Sequence, residues 1–282
     1  MSDRGPIEET LPLLLQHQDR ERFLATLCAP ADLQPALWAL LGFNWEIARV
    51  REITSQPILG QIRLQWWRDA LDEIYGGGKV RRHQVTIPLA EAIRRYGITR
   101  ASLDGMIDAR ERDLAGEPPP TLADLERHLE GTSSALLQAQ IAVLTGTGGG
   151  EAARRIGIAW GLVGLIRAVP FHAAARIIHI PAEIALAADL HERDIYALRP
   201  SAALGAALER LAAAALGHLA AARALRRTVP AGALPALLIA RLARLHLRRL
   251  AAAGFDPYTQ TVQRPDPLAA WRLAWGRAIG RF

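Results

Sequence analysis

LQPALWALLGFNWEIARVRE, residues 33–52, has the period of an α-helix. Leu33, Leu37, Leu40, Leu41, Trp45 and Ala48 recur three or four residues apart and form one apolar stripe. Asp32 stands where a cap belongs, and Pro35 falls in the first turn, where its missing N–H costs nothing. The same pattern continues on both sides. Residues 19–29 read as the preceding helix. Pro57 opens another that carries Ile62, Trp66, Leu71 and Ile74 and stops at Gly76-Gly77-Gly78. Further helices are expected over 88–96, 99–114, 121–144, 151–168, 201–227, 234–252 and 266–278, with a short one after Pro181. Thr121 and Asp124 resemble a capping box at the start of the helix over 121–144. Alternating β-branched runs are absent, while Ala, Leu, Arg and Glu, good helix formers, dominate. The expectation is one all-α domain of about ten helices over residues 1–282, with 1–18 as an N-terminal extension and 200–282 as basic C-terminal helices.

Composition narrows the class. The 282 residues are 50% apolar with a net charge of +6, which excludes a disordered chain. One cysteine, Cys28, excludes a disulfide framework and any multi-cysteine zinc site. No uninterrupted apolar run reaches the roughly 18–20 residues of a bilayer span. The opening MSDRGPIEET reads as neither a signal nor a transit peptide. A cytoplasmic protein, able to touch a membrane, is therefore expected. Lys79 is the lone lysine, so the positive charge is arginine. Residues 200–282 hold twelve arginines against Glu209, Asp256 and Asp266, a local charge of +9, which leaves −3 for the rest. Such asymmetry suits either solvated helix faces or an acidic partner.

Motifs for chemistry are sparse. The Gly146–Gly150 turn lacks the Lys-Ser/Thr of a phosphate loop, and neither GxSxG nor HExxH occurs. His172 and His179 share a helix face only if the segment stays helical, which Pro181 opposes. Asp104 and Asp108 are spaced to hold Mg²⁺ from one helix face, but interleaved arginines fit an exposed ion-paired surface better. QIRLQWWR, residues 61–68, sets Trp66 beside Trp67 and puts Arg63 one turn from Trp67, within cation–π reach. These tryptophans fit a core helix or a cavity wall equally well.

Four stretches carry a resemblance: residues 22–52, IRLQWWRDALDEIYGG (62–77), TLADLERHLEGTSSALL (121–137) and residues 161–181. Together they resemble the squalene/phytoene synthase superfamily. The resemblance implies an isoprenoid-synthase-like helical bundle with a central cavity. It also implies a reaction that joins two isoprenoid diphosphates, with Mg²⁺ clamped between two aspartate-rich motifs. This chain departs from both motifs. Where Asp-Asp-x-x-Asp belongs it reads Ala48-Arg49-Val50-Arg51-Glu52. Where Arg-Asp-x-x-x-Asp belongs it reads Arg167-Ala168-Val169-Pro170-Phe171-His172. FNWEIARV (43–50) and LIRAVPFHAAARIIHIP (165–181) are similar to the divergent branch that includes the complex I assembly factor of the superfamily.

The expectation is therefore a non-catalytic accessory factor with no resident metal or cofactor and no assigned catalytic residue. Its partner would be a respiratory-complex subunit, and its location peripheral at the inner membrane. An isoprenoid or anionic lipid is a further candidate ligand, and nucleic acid is not expected. Ligand or partner contacts are expected at Asn44, Glu46, Arg49, Arg63, Trp66, Trp67, Arg167, His172 and Arg176. Arg49, Arg51 and Arg167 would meet a diphosphate without metal. Arg241, Arg244 and Arg248, one turn apart in a leucine-rich helix, are expected at a membrane surface. The alternative is an active prenyl transferase that uses Mg²⁺ and displaced carboxylates, Glu46, Glu52, Asp104 and Asp108.

Overall fold

Helix-forming composition and Gly/Pro punctuation set the architecture. A computed structural model describes residues 10–54 and 56–282, and among these there is no strand. The reading of residues 1–9 as free of a leader lies outside the described residues. The first half is built from α1 (Leu11–Gln18), α2 (Arg20–Thr26), α3 (Gln34–Ala48), α4 (Val50–Ile53), α5 (Pro57–Tyr75), α6 (Thr86–Tyr96) and α7 (Arg100–Glu111). The middle holds α8 (Leu122–Leu129), α9 (Ala135–Thr145), α10 (Gly150–Ala174), α11 (Ala182–Ala187) and α12 (Glu192–Tyr196). The chain closes with α13 (Ala202–Ala224), α14 (Leu234–Leu237), α15 (Ile239–Ala252), α16 (Gln260–Gln263) and α17 (Ala269–Ala278).

The long helices follow the sequence pattern, and local chemistry explains the differences. Pro35 lies in the first turn of α3 as expected, but the cap position is Leu33 and Asp32 makes no capping bond. Thr121 does cap α8, its hydroxyl accepting from the Asp124 amide at 3.1 Å. The single helix expected over 121–144 is interrupted by a π turn, Glu130–Ser134. The helix expected over 151–168 runs on to Ala174 with Pro170 inside it, and the chain then turns at Arg176, whose φ is +56°. The helix expected over 234–252 breaks at Leu238. Residues 11–18 do not trail from the bundle: Leu11, Leu14 and Leu15 are buried, and α1 packs on α3.

Two apolar clusters fill the interior. One, around Leu40, Phe43, Leu71 and Ile107, ties α1–α3 to α5–α7. The other, around Ile156, Leu162, Leu211 and Leu242, gathers α10, α13 and α15. At its centre α10 packs along α13, α15 and α9. By length and composition alone this helix is long and apolar enough to cross a membrane, although charged residues interrupt its sequence. Half of that apolar stretch is buried inside the bundle. Gly157 and Gly161 bring it close to its neighbours: a Cβ at Gly157 would lie 2.3 Å from the Ser134 Cα, and one at Gly161 2.6 Å from Leu129 Cδ2. At Gly164 the same test meets nothing within 4 Å, because the helix there faces an opening.

Candidate functional site

That opening is a cavity of about 290 Å³ between the two apolar clusters. Gly161, Gly164, Leu165, Ala168 and His172 form one stripe of α10 along its wall. Ala48, Arg51 and Glu52 approach from the end of α3 and from α4. Arg110, Asp113 and His128 come from α7, the turn after it and α8. The π turn adds Thr132 and Ser133. Of the residues that stand at motif aspartate positions, Ala48, Glu52, Ala168 and His172 thus face one space, and Arg49 does not.

The cavity's charges are largely neutralised within it. Asp113 pairs with Arg110 at 3.3 Å and meets His128 Nε2 at 3.3 Å. Arg22 pairs with Asp19 at 2.7 Å. Arg51 has no carboxylate within ion-pair distance among the described residues, and its buried Nε lacks an acceptor. The turn at Arg176 folds the chain back, so His172 and His179 meet edge to face with ring centroids 4.6 Å apart. The sequence reading made their meeting depend on a continuous helix, whereas a reversal accomplishes it. Burial pushes His179 down to about 4, with His172 as the second cause. Burial likewise lowers His172, and it lowers His128 against the opposing pull of Asp113.

Behind this polar mouth the space closes. Arg22, Ser133 and Trp160 also border a deeper apolar void between Leu37, Leu137 and Ile239. It measures about 20 Å³, room for roughly one water molecule. An isoprenoid chain does not fit there in this conformation.

Of the nine expected contact residues, His172 lines the cavity and the others lie elsewhere. Asn44 is buried in α3 with its side-chain oxygen unpaired. Glu46 bonds across its own helix turn to Arg49 at 3.5 Å, and Arg49 stacks on Trp45 at 4.0 Å. Arg63 is exposed, and the cation over Trp66 is Arg81 at 4.8 Å. Trp67 is a core residue, edge-on to Phe43, and Trp66 packs edge-on against it. Adjacent helix residues point about 100° apart, which is why Arg167 misses the wall that Ala168 forms. Arg167 instead donates to Glu21 Oε2 at 2.9 Å, and Glu21 Oε1 lies 2.7 Å from His246 Nε2. Arg176 is exposed and lies over the Tyr196 ring at 5.2 Å. Asp104 and Asp108 are held in surface pairs by Arg100 at 2.7 Å and Arg68 at 2.6 Å.

The sequence reading missed Arg22, Arg110, Asp113 and His128 as cavity residues. Periodicity gave the needed signal only for His128, one turn before Thr132 in TLADLERHLEGTSS. Arg110 and Asp113 are sequence neighbours, but that they face Arg22 and His128 is decided only by packing across the bundle.

A magnesium–diphosphate cluster does not fit this donor set. The carboxylates lining the cavity are Glu52 and Asp113, and Asp113 is engaged by Arg110 and His128. Among the described residues no three His, Cys, Asp or Glu side chains are grouped to hold a metal.

At the other end of the molecule, Arg241 and Arg244 line a groove of about 640 Å³ together with Arg223, Arg226 and Arg227 from the end of α13 and the segment after it. Arg241, Arg244 and Arg248 share a second hollow of about 180 Å³ with Arg272 and Phe282.

The squalene/phytoene synthase family profile matches residues 15–277. A Bos taurus protein named NADH dehydrogenase (ubiquinone) complex I, assembly factor 6 is 30% identical over 268 residues, spanning 93% of this chain and 80% of its own. A Drosophila melanogaster homologue of that name is 28% identical over 285 residues, spanning 95% of this chain and 83% of its own. In structure, the chain is similar to a crystallised dehydrosqualene synthase with a TM-score of 0.82, covering 95% of this chain and 94% of that one at 16% identity. That likeness speaks for the fold.

Proposed function

The chain belongs to the squalene/phytoene synthase family, and from that premise we propose that it is a non-catalytic member that assists assembly of an NADH dehydrogenase (ubiquinone) complex. The carrying observation is the cavity itself. It brings the two divergent motif segments to one space but presents Ala48 and Ala168 there, engages Asp113 internally, and has an apolar depth of only about 20 Å³. A diphosphate needs its charge compensated in such a space, and this donor set supplies too few magnesium ligands. The assembly role follows the names of the relatives that match nearly the whole chain. Ubiquinone is lipid-soluble, so a complex that reduces it is built at a membrane, and the protein would work as a peripheral visitor there. The partner would be a subunit of that complex.

Two measurements test this. In cells that lack the chain, assembled NADH dehydrogenase should fall and be restored by the wild-type gene. Normal assembly without the chain would end the proposal. Incubated with farnesyl diphosphate and Mg²⁺, the purified protein should form no condensed product; product lost on Glu52→Gln would establish the transferase instead.

A further inference from the structure

The C-terminal face combines two features that the cavity does not need. The first is unpaired charge. Arg223, Arg226, Arg227, Arg241, Arg244 and Arg248 have no carboxylate within 4.0 Å among the described residues, and no acidic side chain lines either hollow they border. Burial first, and then the neighbouring Arg223, Arg248 and Arg241, pull Arg244 below its usual range. The second feature is an outward apolar stripe on α17. That helix turns Ala269, Leu273 and Gly276 inward. On its other side Leu268, Trp271, Trp275 and Ile279 are exposed, at 52%, 61%, 51% and 41%. The two indoles stack with centroids 6.1 Å apart and planes within 6°.

The features are continuous. Ile279, the last member of the stripe, lines the arginine groove. Gly276 lets α17 lie against α15, since a Cβ there would sit 2.6 Å from Arg241 Cδ. The floor of the groove is apolar, with Val229, Leu234 and Leu237, and its rim is guanidinium.

We propose that this face docks on an anionic phospholipid surface, with lipid phosphates in the arginine groove and Trp271 and Trp275 at the level of the headgroups. Guanidinium pairs with phosphate oxygens bidentately, and relief of the mutual repulsion adds to the attraction. Indole rings favour the boundary between headgroup and acyl chain, where the ring is apolar and the N–H stays wet. An acidic protein surface would satisfy the arginines but leaves the stacked indoles and the apolar groove floor without a role. The proposal deepens the membrane setting of the function above and rests on it for its place in the cell.

The test is co-sedimentation of the full chain with vesicles, which requires no respiratory complex. The protein should bind vesicles of phosphatidylcholine mixed with phosphatidylglycerol, bind phosphatidylcholine alone weakly, and lose binding as salt rises. Arg226→Glu, Arg227→Glu and Arg248→Glu together should lower partitioning by at least about tenfold. Trp271→Ser with Trp275→Ser should lower it at every salt concentration. Arg94→Glu with Arg95→Glu, exposed on α6, should leave it unchanged, and circular dichroism should show each variant folded. Absence of vesicle binding, equal binding to neutral vesicles, or binding unchanged in the folded groove variant would overturn the docking face. Assembly of the respiratory complex would remain to be judged by its own deletion experiment.

Discussion

The central cavity and the C-terminal groove are both lined by arginine, yet they treat its charge in opposite ways. In the cavity, Arg22 and Arg110 are matched by Asp19 and Asp113 at 2.7 and 3.3 Å, and the histidines are pushed toward neutrality by burial. In the groove and the hollow beside it, eight arginines gather, no acidic side chain lines either, and among the described residues only Arg272 has a carboxylate partner, Asp266 at 3.0 Å. Arg51 apart, the first arrangement is closed on itself. The second leaves charge to be met from outside. A count of basic residues does not separate the two; the position of the nearest carboxylate does.

The sharpest way to break the comparison is at the structural ion pairs inside the bundle, behind the cavity wall. Glu21 holds both Arg167 and His246, and against the upward push of burial these two contacts keep its carboxyl below the usual range. Glu21→Ala strands both partners and should destabilise the fold by about 3 kcal/mol, read by urea unfolding. A loss under about 1 kcal/mol would mean that these contacts are incidental. Next in size is the packed side of α10. Gly157→Ala would press on the Ser134 backbone and should cost about 2 kcal/mol. Gly164→Ala, facing the open cavity, should raise stability by up to about 0.8 kcal/mol through helix propensity. If both substitutions behave alike, the cavity is not open in solution.

Acid probes the same region. His179 titrates near 4 in the folded protein against 6.5 in the unfolded chain, so the unfolded state binds more protons between those values. Stability should therefore fall as the pH drops from about 6.5 to about 4, and His179→Gln should flatten part of that slope in thermal midpoints. The smallest effect belongs to the groove. Salt should raise the thermal midpoint slightly by screening Arg244 from its neighbours, by less than about 1 kcal/mol. Arg244→Gln should weaken that response.

How much of this was legible in the sequence varied by element. The stripe from Leu37 to Ala48, the proline-led start of α5 and the glycine stop after Tyr75 were written in spacing and punctuation, and the helices formed there. The replaced motif positions could be named because the resemblance aligned them; Ala48, Glu52, Ala168 and His172 reached one cavity, while Arg49, at the second aspartate position, lies over Trp45 instead. Side-chain destinations were harder. Arg63 and Trp67 are one turn apart, but Arg63 turns to solvent and Arg81, from the loop after α5, reaches the tryptophan pair. Arg167 is adjacent in sequence to a cavity residue and points to Glu21 from a helix 146 positions earlier. The arginines of α15 were visible as a periodic row, whereas the ends of α13 and α17 that complete their groove meet them only through tertiary packing. Period reveals which residues share a face, and packing decides what that face meets.

The π turn at Glu130–Ser134 makes the cavity sensitive to chain length as well as residue identity. A π turn holds one residue more than an α turn. Deleting Gly131 would let α8 and α9 merge into one regular helix; because the turn carries the extra residue, the flanking helices would keep their facing and the change would fall on the turn itself. Thr132 and Ser133, which line the cavity from that turn, would be repositioned in its wall, although no residue on the facing helices had changed. A loss of three bases from the gene could thus redraw the polar mouth in one step, a route of divergence that a catalogue of point substitutions would miss.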